Sequence, residues 1–363
     1  MVRILLLPLL QIPSGHQHVA DSIIAHLDTN LNFHCEKIEF LSYCYPQMER
    51  IISTIYIQTI NKIPTLYSSL YKTVARNDVG KKNFPFYDWL FLKKLEEILE
   101  EKKPDLVICT HSFPSYLINR LKEKRRWHGK AINIYTDYFL NNHWGVRMID
   151  YHFVPTSEVK EQLMTLGVEK ERIFLTGIPI HPHLQRTEAT RHTSRPVVLI
   201  SAGSMGCGSM KALLTRLKPK GGIHYKVLCG KNEALLQYVR ELNNPFIEPL
   251  PYITSKEKIN QLYDEATCIL TKPGGVTLSE CLYKQVPIVI FQALPGQEEY
   301  NLQYFKKKKL VYHLANWKQI KNIEKILYEQ ILSNQHHLRK QYSHFSEHLD
   351  KRSLQELIEK ISS

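Results

Sequence analysis

The residues best suited to chemistry are Thr271-Lys272-Pro273-Gly274-Gly275-Val276-Thr277-Leu278-Ser279-Glu280. They follow the apolar run Cys268-Ile269-Leu270, which reads as a buried strand, and open the apolar-periodic segment Val276, Leu278, Cys281, Leu282, which reads as a helix. A helix start leaves its first N–H groups unpaired and positively polarised, and glycine lets an anion approach the backbone closely. The stretch therefore suits a phosphate, although an ordinary βαβ unit with a glycine turn has the same local pattern. Glu280, a few residues into the helix, can accept from two neighbouring hydroxyls at once, as on a ribose; it also fits as a first-turn acid stabilised by the helix dipole. Near the N-terminus, Val2–Leu10 is an aliphatic run ending in Ile12-Pro13-Ser14-Gly15-His16, ahead of a helical pattern through Val19, Ile23, Ile24 and Leu27. Ala131–Asp137 reads as another strand and delivers Asp137 to the same end of a sheet as His16. Asp137 there can orient His16 and fix its tautomer, or bind an acceptor, and either residue also serves as a simple helix cap.

These groups need strands that end together, and the chain provides them in two sets. In the first half, Val2–Leu10, Pro104–Thr110, Ala131–Asp137, Tyr151–Ser157 and Ile173–Thr176 read as strands. Between them, His111–Pro114 reads as a loop and Leu117–Lys124 as a helix. Gly177-Ile178-Pro179-Ile180 closes this half. His183–Arg195, rich in Thr, Arg and His and without periodicity, reads as a linker. The second half restarts with the strand Pro196–Ser201 and the turn Ala202-Gly203-Ser204-Met205-Gly206-Cys207-Gly208. It continues through His224–Cys229, Gly230-Lys231-Asn232, the opening motif, Pro287–Phe291 and the loop Pro295–Asn301. Strands alternating with helices predict an α/β chain with parallel sheets, whose ligands lie beyond the carboxyl ends of the strands.

T-K-P-G-G-x-T-x-x-E, then x-V-P-I, then P-G-Q-E-x-x-N, resembles the nucleotide-sugar region of the monogalactosyldiacylglycerol synthase and processive diacylglycerol glucosyltransferase family. It is more distantly similar to the lipid-linked N-acetylglucosaminyltransferase of peptidoglycan synthesis. The resemblance implies two doubly wound Rossmann-like domains facing across a cleft (GT-B), with a C-terminal helix returning to the first domain. The expected boundaries are 1–182, a linker at 183–195, 196–335 for the UDP-sugar domain and 336–363 for the returning helix. His16 would then be the general base, with Asp137, in the family's Thr-Asp, beside it, and Ser14 and Gly15 would belong to the nucleotide loop. Gly203, Ser204, Met205, Lys231, Ile253, Gly274, Gly275, Val276, Thr277 and Glu280 would hold UDP. Gln297 and Glu298 would hold the donor sugar, and Asn301 would support their loop. In the family an Arg follows Gly-Ile-Pro-Ile and contacts the diphosphate; here His181 stands in its place, offering one donor instead of a fixed charge and a fork. Arg186 or Lys231 are the candidates to compensate.

The net charge is +13, with 22 basic against 19 acidic residues up to 180 and 26 against 16 beyond. That balance fits an anionic partner, and no helix-turn-helix, RRM or zinc-finger pattern points to nucleic acid. Residues 43 to 92 interleave Tyr43, Tyr45, Tyr56, Tyr67, Tyr71, Phe84, Phe86, Tyr87, Trp89 and Phe91 with Arg50, Lys62, Lys72, Arg76, Lys81 and Lys82. Aromatic bodies beside cations suit an anionic membrane surface, and a helix pair with a polar outer face fits the same residues. No apolar run approaches the roughly 18 residues of a membrane span. Met1–Leu7 lacks a small-residue cleavage site and reads as a first strand. The seven cysteines form no CxxC pair, which predicts reduced core thiols in a cytoplasmic protein. The family resemblance, with the aromatic and basic stretch, implies a peripheral place on the inner face of the cell membrane. Neither a metal nor a cofactor is expected: the chain has no Asp-x-Asp, and the UDP-sugar is a co-substrate.

The resulting expectation is an inverting hexosyltransferase that makes a β-glycosyl lipid on diacylglycerol. The alternatives are transfer to a soluble or polyprenyl-linked acceptor, a UDP-sugar 2-epimerase of the same architecture, and, because of His181, a non-catalytic sugar-nucleotide-binding subunit.

Overall fold

The computed structural model describes residues 1–51, 53–54, 84–186, 195–206, 209–217, 219, 221–294, 296–333 and 335–362. It divides the chain into two units, Met1–Pro182 with Leu349–Ser363, and His183–His348. Tyr56, Tyr67, Tyr71, Lys62, Lys72, Arg76, Lys81, Lys82, Cys207, Gly208, Pro295 and linker residues 187–194 lie outside the described residues.

The first unit is a six-stranded, wholly parallel sheet. Its strands are β1 (Val2–Leu7), β2 (Phe33–Lys37), β3 (Leu106–Cys109), β4 (Lys130–Ile134), β5 (Tyr151–Val154) and β6 (Ile173–Leu175). They run in the order β2-β1-β3-β4-β5-β6. Strands such as Leu-Val-Ile-Cys are buried throughout, because helices cover both faces of a parallel sheet and leave no polar side to alternate with. Helix α1 (Gly15–Leu27) follows β1 and buries Val19, Ile23 and Leu27. Helix α2 (Phe40–Cys44) and helix α3 (Pro85–Lys102) follow β2, with Phe91, Leu92, Leu95, Ile98 and Leu99 of α3 in the core.

Helix α4 (Ser112–Glu123) begins five residues before the expected Leu117. His111 caps it, its Nδ1 accepting from Phe113 N at 3.0 Å. Pro114 then falls in the first turn, where a missing N–H costs nothing because no intrahelical acceptor exists there. Helix α5 (Ser157–Thr165) is capped by the Thr156 hydroxyl, which accepts from Val159 N at 3.2 Å.

The second unit is also a six-stranded parallel sheet. Strands β7 (Val197–Ser201), β8 (His224–Leu228), β9 (Ile247–Leu250), β10 (Cys268–Thr271), β11 (Ile288–Ile290) and β12 (Tyr312–His313) are ordered β12-β11-β10-β7-β8-β9. That is the strand order of the Rossmann fold, with its reversal between β7 and β10. Helices α6 (Met210–Leu217), α7 (Glu233–Glu241), α8 (Lys256–Glu265), α9 (Gly275–Lys284) and α10 (Gln297–Lys307) connect the strands. Lys306, Lys307, Lys308 and Lys309 form an exposed end to α10.

The chain's last two helices part company. Helix α11 (Gln335–Glu347) stays with the second unit. The fully buried Tyr342 hydroxyl accepts from Ile288 N at 3.1 Å and donates to Leu310 O at 2.9 Å, pinning the helix to the sheet. Helix α12 (Leu354–Ser362) returns to the first unit, burying Leu357, Ile358 and Ile361. Asn30 Nδ2 donates to Glu359 Oε1 at 2.6 Å, and Lys130 Nζ donates to the Ile361 carbonyl at 2.6 Å. The return thus begins at Leu349, whereas the expected returning segment began at residue 336.

Candidate active site

In the first unit the strand order reverses between β1 and β3, and the loops beyond those strands and β4 carry the groups of interest. His16 is the second residue of α1 and partly buried. Its Nδ1 lies 2.8 Å from the Thr110 carbonyl and 2.9 Å from Thr136 Oγ1. A carbonyl oxygen only accepts, so Nδ1 carries the proton, and Nε2 is left with the lone pair. Burial lowers the His16 pKa below the ordinary 6.5, while the Asp137 carboxylate and the Thr110 carbonyl partly oppose that shift. Burial thus favours the neutral ring, and the Thr110 carbonyl defines its basic nitrogen.

His111 packs edge-on against it, ring centroids 4.5 Å apart. Burial holds His111 well below the usual imidazole range, reinforced by His16 and His143. Its Nδ1 accepts from Phe113 N, so its proton sits on Nε2. Thr110, His111 and Thr136 were not among the expected site residues. Thr136 adjoins Asp137 in sequence, but the Thr110 contact runs through a main-chain carbonyl, which no side-chain pattern reveals. Ser14 precedes α1 as its cap residue and Gly15 opens the helix; the Ser14 carbonyl accepts from His18 N at 3.0 Å. His181 follows Ile180, whose carbonyl accepts from His26 Nε2 at 3.0 Å, tying this end of the unit to α1.

In the second unit, the turn after β7 and the turn after β10 lie beyond adjacent strands at the sheet's reversal. Gly203 has φ +77° and Gly206 φ +57°. A Cβ on Gly206 would come within 2.1 Å of the Cys229 carbonyl, and one on Gly230, at φ +61°, within 2.5 Å of Ser204 O. The 203–206 turn and the Gly230-Lys231-Asn232 loop are interlocked main chain. Lys231 N donates to Ser204 O at 2.9 Å, and Asn232 Nδ2 to Gly206 O at 3.0 Å. Met205 lies in the same turn, partly buried. The Lys231 ammonium stacks 5.3 Å over Tyr252, beside the partly buried Ile253.

Helix α9 starts with Gly274 as its cap residue and no side-chain cap bond. Gly274 has an ordinary φ of −73°, and a Cβ there would meet nothing within 4 Å. Neither backbone conformation nor the protein's own packing demands glycine at this point. Gly275, Val276 and Thr277 form the first turn, with Gly275 buried and the other two partly exposed. Glu280 sits one turn further and accepts from the Tyr263 hydroxyl of α8 at 2.8 Å. Burial raises the Glu280 pKa, against the pull of Tyr263 and Lys256. Tyr263 lies seventeen residues upstream, and only the α8–α9 packing joins the two.

Gln297 and Glu298 open α10. Asn301, fully buried, donates to the Pro273 carbonyl at 3.1 Å and ties α10 to the α9 turn. Arg186 is exposed. No group of three or more His, Cys, Asp or Glu suited to a metal ion occurs among the described residues.

Two six-stranded parallel sheets, each with its polar groups at a strand-order reversal, are the pair of Rossmann-like sheets of the GT-B fold class. The chain resembles the crystal structure of Acinetobacter baumannii MurG with a TM-score of 0.62, at 15% identity over 99% of each chain. It resembles the Anabaena HepE complex with UDP-glucose with a TM-score of 0.56, at 12% identity over 99% of each chain. Residues 16–180 match the model of the monogalactosyldiacylglycerol (MGDG) synthase family. An uncharacterised glycosyltransferase of Bacillus subtilis, YkoN, is 44% identical over 87% of this chain and 85% of its own. A processive diacylglycerol beta-glucosyltransferase of Bacillus cytotoxicus is 32% identical over 81% of this chain and 78% of its own. The chain belongs to this glycosyltransferase family.

Proposed function

We propose that this protein transfers a hexose from a UDP-sugar to the hydroxyl of diacylglycerol, inverting the anomeric centre to give a β-glycosyl lipid. The observation that carries the reading is His16, whose Nδ1–H is committed to the Thr110 carbonyl so that Nε2 is the base. Family membership supplies the reaction type, and the names of the relatives supply the lipid acceptor.

In this reading Nε2 takes the acceptor proton as the hydroxyl oxygen forms its bond to the anomeric carbon. The bond from that carbon to the diphosphate oxygen breaks, and the negative charge leaves on UDP. A single displacement converts an α-linked donor into a β-linked product. Asp137 stabilises the imidazolium that forms. The open N-terminus of α9, with Gly274 to Thr277, holds the diphosphate, since unpaired first-turn N–H groups face developing negative charge. Glu280, oriented by Tyr263, takes the ribose hydroxyls. Ser14 and Gly15 flank the base, and Gly203, Ser204, Met205, Lys231 and Ile253 surround the nucleotide. Gln297 and Glu298 take the sugar, and His181 stands where the family's phosphate-contacting Arg would be. No step in this scheme requires a metal or a cofactor.

The exposed aromatic side chains of α3, Phe86 and Trp89, together with the positive net charge, support docking on an anionic membrane surface. Among the described residues no helix is long and apolar enough to cross a membrane.

His16→Ala tests the reading. UDP binding is expected to persist while glycolipid formation from UDP-sugar and diacylglycerol vesicles falls by about 10²–10⁴. Equal loss of binding and turnover would assign His16 to the fold instead. Mass analysis of the products separates the acceptors, and a new sugar isomer formed from UDP-sugar alone would establish an epimerase.

A further inference from the structure

Lys272 follows β10 directly and has no role in the scheme above. Its carbonyl accepts from Gly274 N at 2.9 Å, so its main chain shapes the turn that opens α9. Its side chain retains 9% exposure, and Nζ lies 3.3 Å from Glu298 Oε1. The second Glu298 oxygen accepts from Leu294 N at 2.6 Å. With the Asn301 bond to Pro273, α10 is tied to the α9 turn by one amide and one charge pair. An ammonium buried near the positive ends of two helices is unfavourable unless an anion shares the space. Glu298 is that anion, and it is itself held on both oxygens. If the pair served only to join the helices, two apolar residues would do so without the desolvation cost.

We propose that Lys272 is a positioning residue for the donor sugar: it holds the Glu298 carboxylate in one orientation, so that its remaining lone pairs accept from two neighbouring hexose hydroxyls. The proposal rests on the UDP-sugar reading of this unit. A carboxylate has about four acceptor positions, and Lys272 and Leu294 N occupy one on each oxygen. Lys272 also offsets the repulsion between Glu298 and a diphosphate bound at the neighbouring helix end, which would otherwise disfavour an acid in this place. The ligand class is therefore a hexose with free vicinal hydroxyls, carried on a nucleoside diphosphate.

The test compares calorimetric affinities for UDP and for whichever of UDP-glucose, UDP-galactose and UDP-N-acetylglucosamine the unmodified protein binds most tightly. In Lys272→Met, UDP affinity is expected within about threefold of the original and sugar-nucleotide affinity lower by about tenfold or more. Glu298→Gln is expected to show the same selective loss. The double variant should be no worse than either single one, because both changes break one interaction. Lys272→Arg, which restores the charge, should recover part of the loss. Retained UDP binding in each variant certifies its fold. The proposal is overturned if UDP and sugar nucleotide weaken together in Lys272→Met, for the ammonium would then act on the diphosphate or on folding. It is equally overturned if the two single losses add, or if sugar nucleotides bind the unmodified protein no differently from UDP. Failure of the unmodified protein to bind either ligand would instead sink the donor reading, and that result appears before any substitution is made.

Discussion

At the residue scale, the decisive feature is which nitrogen of His16 bears the proton. The Thr110 carbonyl answers that through a main-chain acceptor that cannot change its role. Because burial lowers the His16 pKa below 6.5, the ring stays neutral to lower pH than a free imidazole would. The acid limb of the kcat/KM profile is accordingly expected below pH 6.5. Asp137 favours the imidazolium and so raises the value that burial lowers. Removing its charge in Asp137→Asn must move the acid limb further down, and a limb that stays or rises would dissociate Asp137 from the titrating group. His16 and Asp137 were legible as residues sharing one sheet end, since each follows a recognisable apolar run. Thr110 was not, because a carbonyl belongs to every residue. His111 was visible only as a loop residue, and its packing against His16 depends on α4 starting at Ser112 in spite of Pro114.

At the element scale, two glycines that look alike in sequence do different things. Gly230 is locked in place: φ is +61°, and an added Cβ would press on Ser204 O and Gly206 N. Gly274 has an ordinary backbone and empty space before it. Gly230→Ala is expected to cost more than about 1 kcal/mol of stability, read from denaturant unfolding. Gly274→Ala should cost less than about 1 kcal/mol and yet weaken UDP binding about tenfold or more, since its methyl would stand where the anion approaches. If UDP binds the Gly274 variant unchanged, the diphosphate lies elsewhere. The alternation of strand and helix made most strands of both parallel sheets readable, because strands covered on two faces become continuous apolar runs. The edge strands β2, β9 and β12, short or mixed in polarity, were not. The partners that tie one element to another, such as Tyr263 to Glu280 or Tyr342 to Ile288 and Leu310, were not readable. They join segments with no shared periodicity.

At the scale of the whole molecule, a chain with a net charge of +13 carries on α3, besides the buried Phe91, Leu92 and Leu95, the side chains of Phe86 and Trp89 at 65% and 77% exposure. Replacing Phe86 and Trp89 together by serine is expected to reduce sedimentation with anionic lipid vesicles and leave UDP affinity unchanged. Added salt should weaken the vesicle binding of the original protein as it screens the charge. Undiminished sedimentation of the double variant would remove these side chains from any membrane contact. The boundary of the last segment was the least legible part of the architecture. Both Gln335–Glu347 and Leu354–Ser362 are amphipathic, and what separates them is their tertiary partners, such as those of Tyr342, Glu359 and Ile361. Because α12 completes the first unit after the whole second unit has been synthesised, residues 1–182 leave the ribosome without the helix that covers part of α1. The amino-terminal half must therefore wait, partly uncovered, for α12 to follow the second unit. A nick or stop codon just beyond His348 would injure the half of the protein farthest from it in the gene.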